Sequence, residues 1–194
     1  MKKIILASRN EDKIKELRQL LQPFNIELKS ALDFSNLGEV VEDKQTLEGN
    51  ALKKARYVYQ KTKLPSLADD TGLEVDALNG RPGVYSARYA EKNASYQENV
   101  NKLLGEMRGV PDNERSAQFR TVVALVTEKQ EQTFEGICRG KIIKEERGTA
   151  GFGYDPIFKS NGYQKTFAEL SNGEKNKISH RARALQKFVE WLKG

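Results

Sequence analysis

The residues best suited to chemistry lie in one short stretch near the middle of the chain. Asp69 and Asp70 end an apolar run that begins at Leu67, and Thr71 and Gly72 follow them directly. Two adjacent carboxylates at the end of a strand suit a hard cation such as Mg2+, and open α/β sheets bind their ligands at the carboxyl ends of strands. The same residues also suit a solvent-exposed turn, because Asp, Thr and Gly are common turn formers. Taken alone, the stretch favours the turn.

A second group of candidate residues follows the first apolar run of the chain, residues 2–7, which suits a buried strand. Asn10 fits the N-cap of a helix entered at Glu11, where unpaired N–H groups and the positive end of the helix dipole attract anions. Lys13, one turn later, can reach a phosphate oxygen. The pattern predicts an anion-binding turn, while an ordinary N-cap whose dipole is complemented by Glu11 and Asp12 explains it equally well.

Four separated blocks make a more specific pattern when they are taken together. The blocks are residues 8–13, 68–90, 151–158 and 179–181. They resemble, in chain order, the motifs of the inosine triphosphate pyrophosphatase family, whose members are also called Ham1-like or non-canonical purine nucleoside triphosphate pyrophosphatases. Ser8, Asn10 and Lys13 satisfy the family's Thr/Ser-x-Asn-x-x-Lys motif, so the resemblance favours phosphate binding at the first block.

The resemblance implies an activity. A family member would use Mg2+ to cleave ITP, dITP or XTP between the α and β phosphates, giving the monophosphate and pyrophosphate. Asp70 matches the family's catalytic aspartate and would either hold the metal or accept a proton from the attacking water, with Asp69 as the second choice. Glu42 precedes the second predicted helix and is the other candidate metal ligand. Glu39 and Asp43 lie near enough in sequence to leave that choice open.

The resemblance also implies which residues contact the substrate. Phe152 and Tyr154 would stack on the purine, although both rings also suit a buried core beside a glycine-rich turn. Lys175, His180 and Arg181 would supply hydrogen-bond donors, whereas His180 alone would be an ordinary first residue of the last helix. The implied substrate-binding residues are Ser8, Arg9, Asn10, Glu11, Asp12, Lys13, Thr71, Phe152, Gly153, Tyr154, Asp155, Lys175, His180 and Arg181.

One segment departs from the family's pattern. The family has approximately Thr-Phe-Glu-Glu-Asn-Ala where this chain has Gly49 between Glu48 and Asn50. The missing Glu would close a capping box with Thr46, and a glycine inside a helix costs about 1 kcal/mol relative to alanine. We therefore expect a looser start to this helix, with its chemistry retained through Asn50.

Strand and helix patterns alternate along the chain, which predicts an α/β fold with a central mixed sheet flanked by helices. Strands are predicted over residues 2–7, 67–70, 115–127 and 132–143, and helices after Asn10, over residues 46–61, from the Ser95 capping box to about Met107, and at the end of the chain. The last helix is expected to turn Leu185, Phe188, Val189 and Leu192 inward, with Trp191 packing near its end. The resemblance adds an elongated, two-lobed shape with a cleft between the lobes. Residues 1–194 are expected to form one domain.

Charge and composition limit the other classes of function. The chain has 33 Lys and Arg against 27 Asp and Glu, a net charge of +6, which favours anionic partners. Because the basic residues are scattered among acidic ones, a nucleic-acid-binding module is a weak alternative. A Maf-type nucleotide pyrophosphatase with another base preference is the alternative among enzymes. The apolar start is too short for a signal peptide, and the single Cys138 suits a small core residue, so we expect a cytoplasmic protein without nucleic-acid or membrane partners. The resemblance implies a homodimer.

Overall fold

The computed structural model describes residues 2–194 and contains a mixed α/β fold, as predicted. Its elements in chain order are β1 (Lys2–Leu6), α1 (Glu11–Leu21), β2 (Ile26–Ser30), α2 (Leu47–Thr62), β3 (Ser66–Val75), β4 (Pro82–Gly83), α3 (Tyr96–Glu106), β5 (Ser116–Val126), β6 (Glu131–Ile142), β7 (Phe158–Ser160), α4 (Asn172–Ile178) and α5 (His180–Lys193). Short 3-10 turns connect several of these elements.

The strands form a seven-stranded sheet in the order β2-β1-β3-β5-β6-β7, with β4 paired to β3 outside this path. Strand β1 runs parallel to both β2 and β3, whereas β3 and β4 are antiparallel and so are β6 and β7. The sheet is therefore mixed, and the long strands β5 and β6 confirm the two β-rich runs predicted on either side of residue 130.

Strand β3 is longer than the sequence suggested. The prediction that it ends at Asp70 is wrong, because the strand continues to Val75 and pairs with β4 there. Gly72 is in the strand for a packing reason, since a Cβ atom at this position would lie 2.6 Å from the carbonyl oxygen of Gly83. The last parallel pair between β1 and β3 joins Leu6 to Leu67. Asp69 and Asp70 thus follow immediately after the parallel part of the sheet.

The predicted helix starts are present. The side chains of Asn10, Thr46 and Ser95 each accept a hydrogen bond from a backbone N–H in the first turn of the helix that follows, and Ser95 forms the predicted capping box with Glu98. Helix α4, a short helix whose capping box joins Ser171 and Glu174, was not predicted from the sequence.

The chain divides into two compact units, to which β3, β5 and β6 each contribute residues. Unit 1 comprises residues 2–70, Thr121–Gly136 and Arg181–Gly194, and unit 2 comprises Thr71–Arg120 and Ile137–His180. The core of unit 1 contains the inward residues predicted for the last helix: Leu185, Phe188 and Val189 are buried, and Leu192 and Trp191 pack against them. Cys138 is fully buried in the core of unit 2, as predicted for a small core residue. Whether residues 1–194 behave as one domain stays a prediction.

Candidate active site

The turn into α1 has the geometry expected of an anion-binding helix start. The Asn10 side chain accepts a hydrogen bond from the Lys13 N–H at 3.0 Å, and the Ser8 hydroxyl accepts one from the Asn10 N–H at 3.2 Å. Arg9 is anchored by a hydrogen bond from its guanidinium to the Leu37 carbonyl. Glu11 and Asp12 lie exposed in the first turn of the helix. The predicted residues thus hydrogen-bond within this turn and cap the helix.

The ammonium of Lys13 lies 3.2 Å from Oδ2 of Asp69, which joins the α1 turn to the paired carboxylates of β3. Asp69 is buried and also receives hydrogen bonds from the Arg181 guanidinium, at 3.3 Å from Nε and 3.2 Å from Nη2. Arg181 in turn donates to the buried carboxylate of Glu16 on α1. Unit 1 therefore contains a buried ionic cluster of two cations and two carboxylates around Asp69.

Asp70 has different neighbours. The ammonium of Lys54 lies 3.1 Å from Oδ1 of Asp70, 2.5 Å from Oε1 of Glu42 and 2.7 Å from the backbone carbonyl oxygen of Asp69. The Asn50 side chain donates to Oδ2 of Asp70 at 3.2 Å. Helix α2 supplies both Asn50 and Lys54, which lie one turn apart on the same face. A cation and an amide on one helix thus fix the position of the Asp70 carboxylate.

Lys54 is the functional candidate that the sequence analysis missed. Its signal was present, because Asn50 and Lys54 recur at helical spacing next to the apolar positions 47, 51, 55 and 58 of α2, and both side chains are buried. A lysine is seldom buried unless a charge pairs with it, so its place beside the apolar stripe indicated an acidic partner elsewhere in the fold.

The pKa values of the two neighbouring aspartates are shifted in opposite directions. Burial opposes ionisation of Asp69, but the charges of Lys13, Arg181 and Lys54 outweigh it and hold the pKa of this carboxyl well below its ordinary value of 3.8. Burial raises the pKa of Asp70 above 3.8, and the nearby Glu42 adds to this effect while Lys54 and Lys13 oppose it. Asp69 is thus committed to its ion pairs, whereas Asp70 is the carboxyl whose charge is less well compensated.

The structure separates the three acidic candidates that precede α2. Glu42 shares the Lys54 ammonium with Asp70, whereas the Asp43 carboxylate lies 2.8 Å from Lys53, which lowers its pKa through a hydrogen bond. Glu39 is exposed. Within residues 2–194 no group of three or more His, Cys, Asp or Glu side chains is arranged to hold a metal ion. Mg2+ needs only one or two carboxylates together with water and substrate phosphates. The carboxylates of Glu42 and Asp70 both contact the Lys54 ammonium and so lie near each other, and this pair has the donor chemistry that such an ion prefers.

A second cluster lies in unit 2, around Lys175 of α4. The Lys175 ammonium is buried, 2.7 Å from Oδ2 of Asp155 and about 5 Å above the ring of Phe152, with the Phe167 ring at 5.6 Å. Asp155 also accepts a hydrogen bond from the Phe152 N–H at 2.9 Å. A Cβ atom on Gly151 would lie 2.1 Å from the Asp155 carboxylate, so only glycine allows this loop to close on its acidic residue.

The remaining predicted residues of unit 2 lie in different environments. His180 is buried and stacks on Phe119, with ring centroids 4.6 Å apart, and Phe167 also contacts its ring at 6.3 Å. Tyr154 belongs to the core: its hydroxyl donates to the Ser86 carbonyl at 2.9 Å, and burial raises the pKa of this phenol. Thr71 and Gly153 are half-buried. Phe152, also half-buried, is therefore the better candidate of the two rings for stacking on a base.

The arrangement defines an α/β protein with a side-chain-capped start of α1, a pair of carboxylates that share one ammonium, and a separate cationic and aromatic cluster. The Ham1 family model matches residues 4–191, and the chain belongs to this family. It is 48% identical over 193 residues to the dITP/XTP pyrophosphatase of Bacillus licheniformis, covering 99% of this chain and 98% of that protein. It is 46% identical over 197 residues to the dITP/XTP pyrophosphatase of Desulfotalea psychrophila, covering 97% of this chain and 87% of the relative.

Solved structures agree with this assignment. A HAM1 protein from Coxiella burnetii superposes with a TM-score of 0.90 at 42% identity, covering 100% of this chain and 99% of the other. The Ham1 protein of Staphylococcus aureus gives a TM-score of 0.88 at 36% identity, again over 100% of this chain and 99% of the other. No helix within residues 2–194 is long and apolar enough to span a membrane.

Proposed function

We propose that this chain hydrolyses the non-canonical purine nucleoside triphosphates ITP, dITP and XTP to the nucleoside monophosphate and pyrophosphate. Relatives at 46% and 48% identity are named dITP/XTP pyrophosphatases. The observation that carries the proposal is the position of Asp70, which shares the Lys54 ammonium with Glu42 and follows directly after an aspartate bound to Lys13. One unit thus contains the charges needed both to bind a triphosphate and to act on it.

The phosphates are assigned to the start of α1. The N–H groups of a helix amino terminus and the positive end of its dipole bind anions, and the Asn10 and Ser8 side chains hold this turn in shape. Lys13 contacts Asp69 and is only partly buried, so its ammonium can also contact an outer phosphate oxygen. The resemblance implies substrate-binding roles, which this proposal keeps, for Ser8, Arg9, Asn10, Glu11 and Asp12.

Glu42 and Asp70 are the residues that would hold Mg2+. A bound Mg2+ ion would neutralise charge on the phosphate oxygens as it develops in the transition state. Asp70 is also the candidate base for the attacking water, since burial raises its pKa and so raises its affinity for a proton. These two roles compete for one carboxylate. In either role, the hydrogen bond from Asn50 orients the carboxylate.

The base is assigned to the cluster around Lys175 in unit 2. The half-buried ring of Phe152 offers a stacking surface, and the Lys175 ammonium, held by Asp155, offers a donor beside it. Hypoxanthine and xanthine carry an acceptor oxygen at position 6, where adenine carries an amino group. His180 and Thr71 keep the binding roles that the resemblance implies, and so does Arg181, whose contacts in the structure are to Asp69 and Glu16.

Isotope labelling tests which bond is cleaved. ITP is turned over in water enriched in oxygen-18 with Mg2+ present, and the products are analysed by mass spectrometry. Attack at the α phosphorus places the label in the monophosphate and leaves pyrophosphate unlabelled. Asp70→Asn should abolish most of this turnover, whereas Asp76→Asn, which removes an exposed carboxylate outside the cluster, should leave it unchanged. Label in orthophosphate, or undiminished turnover by Asp70→Asn, would contradict the proposal.

The proposed oligomeric state also rests on the family resemblance. The chain is proposed to act as a homodimer in the cytoplasm and to need neither nucleic acid nor a membrane. Its scattered basic residues support the absence of a nucleic-acid partner. Light scattering on the purified protein measures the oligomeric state, and turnover of ITP that is insensitive to added DNA or RNA would support action on free nucleotides.

A further inference from the structure

A groove in unit 2 is lined mainly by cationic side chains. It encloses about 390 Å³ and contains none of the candidate active-site residues of the described chain. We call it the basic groove. The cationic residues that line it are Arg115, Lys141, Lys144, Arg147 and Lys159. Asp112 and Glu145 are the acidic residues that line it.

Two lysines lie directly opposite each other in this groove. Lys141 on β6 and Lys159 on β7 are register partners in the antiparallel pair, so both side chains project from the same face of the sheet. Like charges in this position destabilise a sheet. Within residues 2–194, neither ammonium lies at ion-pair distance from a carboxylate. The fold therefore carries an unfavourable charge pair that an anion would relieve.

Arg115 adds a buried cation to the same wall. Only 4% of this residue is exposed, and its guanidinium donates to the backbone carbonyls of Ile142 at 2.8 Å, Met107 at 2.9 Å and Ile143 at 3.2 Å. Burial lowers the pKa of Arg115. Carbonyl oxygens satisfy its hydrogen bonds without neutralising its charge, so Arg115 adds a fixed positive charge to the lining of the groove, which Asp112 offsets in part.

The other two cations of the groove have acidic partners. Lys144 lies 2.8 Å from Asp112, and Arg147 lies 3.0 Å from Glu169. The Lys144 hydrogen bond is the main cause of the lowered pKa of Asp112, and the charges of Lys141 and Arg115 contribute to it. Asp112 therefore lies in a net positive field, and one carboxylate at ion-pair distance from Lys144 is shared electrostatically with Lys141 and Arg115. The cations of the groove outnumber the acidic residues that line it.

We propose that the basic groove is a second anion site that binds a small oligophosphate, either free pyrophosphate or the phosphate tail of a nucleotide. An oligophosphate carries several charges and many acceptor oxygens, so one molecule can contact both lysine ammonium groups at once, which a singly charged anion does less well. The site stands apart from the proposed function, because its residues are distinct from those assigned to hydrolysis.

The test is a titration of the full-length protein with inorganic pyrophosphate, followed by the amide resonances of residues 141–144 and 159 in metal-free buffer. Lys141→Gln/Lys159→Gln should weaken the affinity measured at these resonances by about tenfold or more, because two charged hydrogen-bond donors are lost. Lys141→Arg/Lys159→Arg should retain binding. Lys129→Gln/Lys187→Gln is the matched control, since it removes two exposed lysines outside the groove and changes the net charge equally.

Two further readouts separate a ligand site from a structural role. Without pyrophosphate, Lys141→Gln/Lys159→Gln should unfold at the same temperature as the unmodified protein or higher, because a like-charge pair is removed. A parallel titration with ATP identifies the source: tighter binding than pyrophosphate indicates a nucleotide, and equal binding indicates the free oligophosphate. Unmoved groove resonances, or equal affinity in the glutamine variant, would overturn the proposal. DNA binding at these residues without pyrophosphate binding would also overturn it.

Discussion

Replacing Arg181 with methionine tests the buried ionic cluster of unit 1 most severely. Arg181 is almost completely buried and donates to both Asp69 and Glu16. Methionine fills a similar volume but removes the positive charge, so two buried carboxylates lose a counter-ion. Removing one partner of a buried ion pair costs about 3–5 kcal/mol of stability. Because Lys13 remains 3.2 Å from Asp69, we expect a cost near the lower limit, about 3 kcal/mol.

Urea unfolding followed by circular dichroism measures this cost. With a slope of about 2 kcal/mol per molar urea, a loss of about 3 kcal/mol lowers the midpoint by about 1.5 M. Lys187→Met is the control, because Lys187 is an exposed cation on the same helix. Its midpoint should change little. Arg181→Met/Glu16→Met should recover part of the loss, since the double variant no longer buries the Glu16 carboxylate without its arginine.

The cost of Arg181→Met should also depend on pH. The folded-state pKa of Asp69 is lowered, so the stability that its charge provides is fully present above the unfolded value near 3.8 and is lost as the pH falls below it. The difference between unmodified protein and variant should therefore be full at neutral pH and shrink in acid. A difference below about 1 kcal/mol at neutral pH, or one that does not change with pH, would refute the argument.

Three further substitutions test individual contacts. Lys13→Ala should weaken binding of a non-hydrolysable triphosphate far more than binding of the monophosphate, and equal losses in calorimetric titrations would place Lys13 away from the outer phosphates. Lys54→Met should lower kcat by roughly a hundredfold or more, because Asp70 and Glu42 lose the ammonium they share. Lys54→Arg should restore part of the lost turnover, and near-normal turnover by Lys54→Met would contradict this role. Phe152→Leu should raise KM for ITP and ATP alike, since stacking holds either purine, so a change in their ratio would count against a simple stacking role.

Much of the fold was accessible from local patterns. The capping residues Asn10, Thr46 and Ser95 act through backbone groups within one turn, so their types and spacing were sufficient to place three helix starts. The extension of β3 was missed because Gly72 was interpreted as a turn former. Its actual reason is the close approach of Gly83 from the next strand, a tertiary contact that no local pattern contains.

The candidate site likewise contains residues that local patterns predict and contacts that they do not predict. Asp70 and the residues of the α1 turn became candidates because their local motifs match those of a known family. The partners of Arg181 and Lys54 were not found, because these cations contact carboxylates that are distant in the chain. Tyr154 and Phe152 are near neighbours in one motif with different burial, and only the packing of the core distinguishes them.

The central claim is selective hydrolysis of non-canonical purine nucleoside triphosphates, and the ratio of kcat/KM for ITP and ATP tests it most directly. A buried donor such as the Lys175 ammonium, held by Asp155, would bond the oxygen at position 6 of hypoxanthine, whereas the amino group of adenine offers it no acceptor at that position. A site of this kind can reject the mismatched analogue by roughly 10⁴-fold. We predict a ratio of kcat/KM approaching that size, measured by pyrophosphate release with Mg2+ and repeated with XTP. Comparable values for ITP and ATP would contradict the account and leave a nucleotide hydrolase without base selectivity.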